Sequence, residues 1–380
     1  MSSGERVALN TIAREWGRIG CTGFGGPPAH VAMLRRLCVE QRQWLEPGEF
    51  EDGIAVTNLL PGPASTQLAV FCAWRLRGAA GALVGGLCFI CPGLVVMVAL
   101  SVVFLRASAP LWVLGAAAGA GAAVPAVAVA AAVGLVAPSW KRAGVVSARR
   151  RAWVVYAVAG AVASAAVGPW VVAVMVICGL MSIGLSTRIA VVLAPLGVSM
   201  AAGGLAAVAW VGFKVGALAY GGGFVIVPLM QADAVNHHHW MTATQFLNTV
   251  ALGQITPGPV TLTVAGVGYA AAGVGGAVMA AVSAFSPSFA FVMVGGPRFD
   301  RIRSNTTVQA FLGGAGPAAI GAIAGSAVPL AMSLRFGWQV AVLVAAAVWL
   351  LLLRRGLIVA LVVAALVGVV AASVGAPIPR

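Results

Sequence analysis

Apolar residues run for bilayer length without a charge near residues 79–105, 110–136, 152–168 and 170–186, and again near 275–296, 306–332, 337–353 and 356–373. A membrane-crossing helix needs about 20 such residues, so each run predicts a span. A further apolar stretch, 189–212, has no counterpart and joins the two sets.

A different pattern precedes each set. Residues 17–34 and 213–230 are rich in glycine, a polar turn follows that ends at Trp44 or Trp240, and a third segment carries Pro61-Gly62-Pro63 or Pro257-Gly258-Pro259. Proline has no amide hydrogen and clashes with the preceding turn, so each Pro-Gly-Pro breaks its helix. Broken backbone at membrane depth is tolerated only where protein buries it or a cavity is lined by it. These segments are therefore expected to be re-entrant or discontinuous helices rather than clean spans. At the start of the chain, Glu5, Arg6, Arg14, Glu15 and Arg18 interleave with Val7, Ile12, Trp16 and Ile19, which predicts an amphipathic segment over 1–16 lying at the interface.

The two sets are copies. An offset of 196 places Arg18 on Lys214, Gly20 on Gly216, Gly25-Gly26 on Gly221-Gly222, Trp44 on Trp240, Phe50 on Phe246 and one Pro-Gly-Pro on the other. At 195 the match continues through Gly78 with Gly273, Gly81 with Gly276 and Pro92 with Pro287. The expected organisation is thus a first repeat, 17–188, a linking span, 189–212, and a second repeat, 213–380. Charge then orients them. In the first half, residues 35–45, 74–78, 137–151 and 187–188 hold eleven cations, whereas the opposite side holds only Arg106. In the second half the equivalent loops are nearly bare apart from Arg335, and the other loops carry Arg298, Arg301, Arg303, Arg354 and Arg355. Cytoplasmic loops gather the cations, so the bias reverses between the halves. The predicted fold is an all-α polytopic membrane protein of two inverted-topology halves, each with broken helices and about four full spans, an arrangement that places transport sites near the midplane.

Composition agrees: 61% of residues are hydrophobic and 8% are charged. The formal charge of +14 follows from loop bias and does not call for nucleic acid. Cys88-Phe-Ile-Cys91 has redox spacing but lies in an apolar run without βαβ context, so it reads as packing. His237-His238-His239 reads as a solvated loop, because adjacent side chains diverge and no further metal ligands cluster nearby. The nine carboxylates lie mostly at segment ends and no nucleophile elbow or phosphate loop appears, so no enzyme is expected. Asp233 and Glu40 read as surface-loop residues, with proton relay as the alternative.

The breaks point to anion binding. A helix restarting after Pro-Gly-Pro presents unpaired amides at the positive end of its dipole, over residues 64–67 and 260–263. Ser65, Thr66, Gln67, Thr261 and Thr263 add donors, and Asn58 and Gln254 stand before the two breaks. Gly25, Gly26 and Pro27, with Gly221 and Gly222, allow backbone to approach a ligand, or else allow close helix packing. Arg18 and Lys214 are paired cations that either face the substrate or snorkel to the lipid boundary.

The stretches FGGPPAHVAML (24–34), LLPGPASTQLAVFCAWRLRG (59–78), FICPG (89–93), AYGGGFVIVPLM (219–230) and ITPGPVTLT (255–263) resemble the chromate ion transporter family in its two-domain form. The second half departs from the first in carrying Gly223 where Pro27 stands. The resemblance implies a bacterial inner-membrane carrier that exports chromate, interacts with sulfate as its structural analogue, and leaves room for a homodimer. Moving a dianion outward down about 100 mV, interior negative, releases roughly 4 to 5 kcal/mol, so no cofactor is expected. Sulfate, another oxyanion or a phosphate-bearing lipid is the alternative cargo; an anion channel or an intramembrane enzyme is the alternative class.

Overall fold

The computed structural model describes residues 7–57, 62–105, 110–144, 146–167, 171–184, 204–219, 226–295 and 305–379. Asn58, Pro61, Gly221 and Gly222, the loop cations Arg106, Arg188, Arg298, Arg301 and Arg303, and most of the 189–212 link lie outside these residues. Every element among the described residues is helical.

In the first half, α1 (Leu9–Thr22) and α2 (Pro27–Arg35) form one hairpin, and α3 (Pro47–Thr57) with the first part of α4 (Ala64–Phe104) forms a second. Then follow α5 (Leu111–Ala143), α6 (Ser147–Val162) and α7 (Val171–Ser182). The second half repeats this with α8 (Leu205–Leu218), α9 (Ile226–Gln231), α10 (Ala243–Ile255), α11 (Thr263–Gly295), α12 (Thr306–Met332), α13 (Gly337–Ala347) and α14 (Leu357–Ser373). α4 and α11 begin well before their apolar runs and α5 continues past Pro138 to Ala143; among the described residues α4, α5, α11 and α12 are long and apolar enough to cross a membrane.

The hairpin arms are too short to cross. With 14 residues, α1 rises about 21 Å, against a hydrocarbon core of about 30 Å. It runs unbroken through residues 16 and 17, and Trp16 is fully buried against α4, its indole N–H donating to the Ala69 carbonyl at 2.8 Å. The open ends of both hairpins share one face. There Arg42 pairs with Glu15 at 2.8 Å, Arg35 with Glu51 at 2.5 Å and Arg75 with Glu49, while the Arg77 guanidinium donates to the Val7 carbonyl. The tips, 23–26 and 62–63, lie at the other end of the hairpins, where Gly23, Gly62 and Pro63 are buried while Phe24 and Gly25 are exposed.

The same bend leaves each second hairpin. Arg77 and Gly78 interrupt α4 at φ −147° and +60°, and Ala272 and Gly273 interrupt α11 at φ −152° and +61°. A side chain at positive φ would cost about 1 to 2 kcal/mol, which glycine avoids. Beyond the bends the full spans run antiparallel. Gly86, near the start of the α4 span, packs on Phe289 near the end of the α11 span, whereas Met97 and Ser101 at the far end of α4 pack on Gly266. The two open faces therefore lie at opposite ends of α4, and the halves are inverted.

The remaining helices interlock the halves. α12 of the second half packs on α6 and α7 of the first, with Gly321 against the Ala157 carbonyl and Gly325 against that of Ala161. Reciprocally, α5 packs on α13 and α14, with Gly119 against the Ala364 carbonyl. Helices in lipid gain little from hydrophobic burial, and small residues that let backbones touch supply the packing instead.

Inversion has a direct readout. Gln43 and His239 end equivalent turns, both exposed and at φ +50° and +52°. A membrane-impermeant maleimide should label Gln43→Cys from one side of sealed vesicles and His239→Cys only from the other; labelling of both from one side would contradict the inverted arrangement.

Candidate functional site

Two backbone hydrogen bonds join the tips. The Gly62 N–H donates to the Ala219 carbonyl at 2.5 Å, and the Gly258 N–H donates to the Gly23 carbonyl at 2.9 Å. Both donors are the central glycines of Pro-Gly-Pro, held at φ +129° and +90°, and both acceptors end the first helix of the opposite half. Each broken segment thus satisfies the other half's helix end. His30, fully buried on α2, adds its Nε2 to the Gly23 carbonyl at 2.9 Å and sets its ring edge-on to Phe89. A carbonyl only accepts, so Nε2 carries the proton.

Each tip sits against the opposite half's span beside a proline within that helix. At the second tip, a methyl group on Gly93, one residue after Pro92, would collide with the Pro257 carbonyl oxygen. At the first tip, a Cβ on Gly62 would lie 3.3 Å from Ser288 Oγ, one residue after Pro287, and would collide with the Gln67 amide nitrogen. Gly26 approaches Val260 across the halves, with 3.6 Å between its would-be Cβ and Val260 Cγ2.

Ser65, Thr66, Gln67, Gln254, Thr261 and Thr263 are all buried, as are Gly62, Pro63, Pro257, Gly258 and Pro259; Gly25 and Pro27 are not. The Thr263 hydroxyl donates to the Val260 carbonyl at 2.8 Å, within its own turn. Thr66 Oγ1, Thr261 Oγ1 and Gln254 Nε2 have no hydrogen-bond partner among the described residues, and the same holds for Asn248 Oδ1 and Ser288 Oγ. Buried polar atoms in proteins are mostly paired, and although Ser164 and Thr244 also carry unmatched hydroxyls among the described residues, the grouping of unmatched atoms around two helix starts would suit a polar ligand. Ser288, Asn248 and His30 escaped the sequence reading because a lone polar residue in an apolar run gives no periodic signal. Position relative to Pro287 and Pro27-Pro28 was the clue available for Ser288 and His30.

The two cations are placed differently. The Arg18 side chain is 67% exposed and reaches Glu15 Oε2 only at 3.9 Å. Lys214 is 16% exposed, and both carboxylate oxygens of Asp233 lie within 2.9 Å of its Nζ, beside the Trp210 ring. Asp233 is therefore buried in an ion pair rather than in a surface loop. His238, in the turn beyond it, stacks on Trp240. Burial lowers the His238 pKa, with His237 acting the same way and Asp233 opposing.

Sequence comparison bears on the whole chain. The family model described as chromate transporter matches residues 10–183 and 206–369, so it fits twice. The chromate transport protein of Cupriavidus metallidurans is 31% identical over 93% of this chain and 91% of its own length. A probable chromate transport protein of Synechococcus elongatus is 29% identical over 85% and 84%, and the chromate transport protein of Pseudomonas aeruginosa is 31% identical over 83% and 79%. No solved structure matches the chain.

Two substitutions test the geometry. Gly93→Ala should destabilise the protein by about 1 to 3 kcal/mol through the clash with Pro257, seen as earlier thermal unfolding in detergent. Lys214→Met should cost about 3 kcal/mol by stranding a buried Asp233 carboxylate, and Lys214→Gln combined with Asp233→Asn should recover most of that loss.

Proposed function

This chain belongs to the chromate transporter family, and we propose that it exports chromate from the bacterial cytoplasm across the inner membrane, through a site at the joined Pro-Gly-Pro tips. The observation that carries this reading is the meeting, at the junction of the two halves, of two helix starts with buried hydroxyl and carboxamide groups, those of Thr66, Thr261 and Gln254, that lack hydrogen-bond partners among the described residues. Helix starts favour anions, and hydroxyl and amide hydrogens suit the oxygens of a tetrahedral oxyanion.

The charge distribution supports release as well as capture. Five of the described carboxylates pair with cations away from the tips: Glu15 with Arg42, Glu40 and Glu51 with Arg35, Glu49 with Arg75, and Asp233 with Lys214. The side chains gathered at the tips are neutral donors. A dianion held by dipoles rather than by a counter-charge can be bound and released in each cycle, which transport requires. In this reading Arg18 raises the positive potential on the first half's approach, and Lys214 does so on the second half's when its pair with Asp233 opens.

Transport proceeds by alternating access: the interlocked long helices rock about the tips, exposing the site first to one open face and then to the other. Membrane potential suffices to drive it. Two negative charges moving outward down about 100 mV yield roughly 4 to 5 kcal/mol, enough for a gradient of over a thousandfold.

Inside-out vesicles at fixed potential test the reading with chromate, sulfate and molybdate. Saturable chromate uptake that rises with potential is the expected result; brisk sulfate uptake without chromate uptake would reassign the cargo, and flux that does not saturate would indicate a channel. Arg18→Gln should lower the uptake rate several-fold at low salt while leaving membrane insertion intact.

A further inference from the structure

We propose that the two tips are not equivalent, and that the oxyanion binds at the first tip, at the start of α4, in a site that Ser288 of the opposite half completes. This rests on the transport reading for its cargo but concerns which atoms hold the anion. Several buried hydroxyls in this protein donate to their own helix: Thr57 to the Gly53 carbonyl, Ser101 to Met97, Thr256 to Leu252, Ser326 to Ile323; among the described residues Thr66, Ser164, Thr244, Thr261 and Ser288 do not, and of these Ser288 and Thr66 meet at the first tip. Such back-bonding is the ordinary fate of a helical serine or threonine. Ser288 does not follow it. Pro287, inside the helix, does not occupy Ser288 either, because the carbonyl that this proline leaves without its helical donor, that of Ser283, accepts from the Ser286 hydroxyl at 2.9 Å. Ser288 is fully buried, its Oγ finds no partner among the described residues, and it faces Gly62.

What it faces is an open helix start. The first intrahelical bond of α4 runs from the Gln67 N–H to the Pro63 carbonyl at 3.0 Å, so the amides of Ala64, Ser65 and Thr66 lie ahead of it. Thr66, fully buried with Oγ1 unpartnered among the described residues, and the Gln67 amide nitrogen stand at the same turn. Backbone amides and two hydroxyls thus converge from two halves, as a tetrahedral ion requires.

The second tip is built otherwise. Its chain enters α11 through a tight 3-10 turn, Val260–Leu262, in which the Leu262 N–H already donates to Pro259 and the Thr263 hydroxyl to Val260. A Cβ on Gly258 would meet Leu262 Cδ1, the Phe89 carbonyl oxygen and Gly93 Cα at 3.6 to 3.8 Å: apolar groups and an acceptor that repels anions. Where the first tip has Ser288, the second has Gly93, with no side chain to offer. Thr261 supplies a hydroxyl at the second tip that is unpartnered among the described residues.

Anion-dependent thermal unfolding of the full-length protein in detergent tests this, with sulfate as probe and chloride as the ionic-strength control. Sulfate should raise the unfolding temperature of the wild type, and Ser288→Ala should need about tenfold more sulfate for the same rise, the loss of one hydrogen bond to a charged group. Ser326→Ala, a buried hydroxyl already bonded to its own helix, should leave the sulfate dependence unchanged. If Ser288→Ala fails to fold, Ser288→Cys and Thr66→Val carry the same comparison. An unaltered sulfate dependence in the Ser288 variants overturns the assignment. A loss in Thr261→Val as large as in Ser288→Ala overturns the inequality of the tips, and a wild type that responds to no oxyanion overturns the site. Chromate flux with an unchanged Ser288→Ala would sink this inference alone, whereas a lost sulfate response without any oxyanion flux would sink the transport reading alone.

Discussion

The structure depends on a reciprocal pair of backbone hydrogen bonds at the middle of the protein, from Gly62 to Ala219 and from Gly258 to Gly23. A chain that enters the bilayer and turns back leaves amides and carbonyls that lipid cannot satisfy, each costing several kcal/mol if stranded. Neither half can repair this alone, because its own Pro-Gly-Pro removes the local partners. The halves repair each other. That requirement fixes the tips at the junction, and with it the inversion of the halves and the place where helix starts can face a ligand.

Once the tips are joined, the long helices have little freedom. The bends at Gly78 and Gly273 turn each hairpin arm into a full span, and those spans must then run antiparallel past the opposite tip. Glycine at Gly93, Gly119, Gly321 and Gly325 lets backbone meet backbone where a methyl group would collide. The exchange of α6 and α7 onto α12, and of α13 and α14 onto α5, makes each half part of the other's core. A movement that opens one face must therefore act on both halves, which suits a carrier more than two independent pores.

The duplication is faithful in backbone and divergent in chemistry. Turns, bends and tip bonds recur at the offset of 196 or 195, while the first half's open face is tied by Arg35–Glu51, Arg42–Glu15 and Arg75–Glu49, and the second carries the buried Lys214–Asp233 pair. Backbone geometry is shared because both copies solve one problem of satisfying polar groups in lipid. Side chains can differ because satisfying the backbone in lipid places no such constraint on them.

The amino-acid sequence alone determined what local chemistry governs: the spans, from apolar length; the breaks, from Pro-Gly-Pro; the repeat, from its echoes; and the inversion, from the reversal of Arg and Lys between loops. Residues 64–67 and 260–263 were legible as candidate anion contacts because a helix start after proline has a fixed electrostatic character. Tertiary structure decided everything that depends on which distant atoms meet. It showed that Lys214, an apparently lone intramembrane cation, is held by Asp233, that His30 steadies the Gly23 carbonyl, and that each tip closes on the other half rather than its own. Ser288 was silent in the sequence for the same reason: a buried serine normally bonds its own helix, and only the packing of α11 against Gly62 shows that this one faces a helix start.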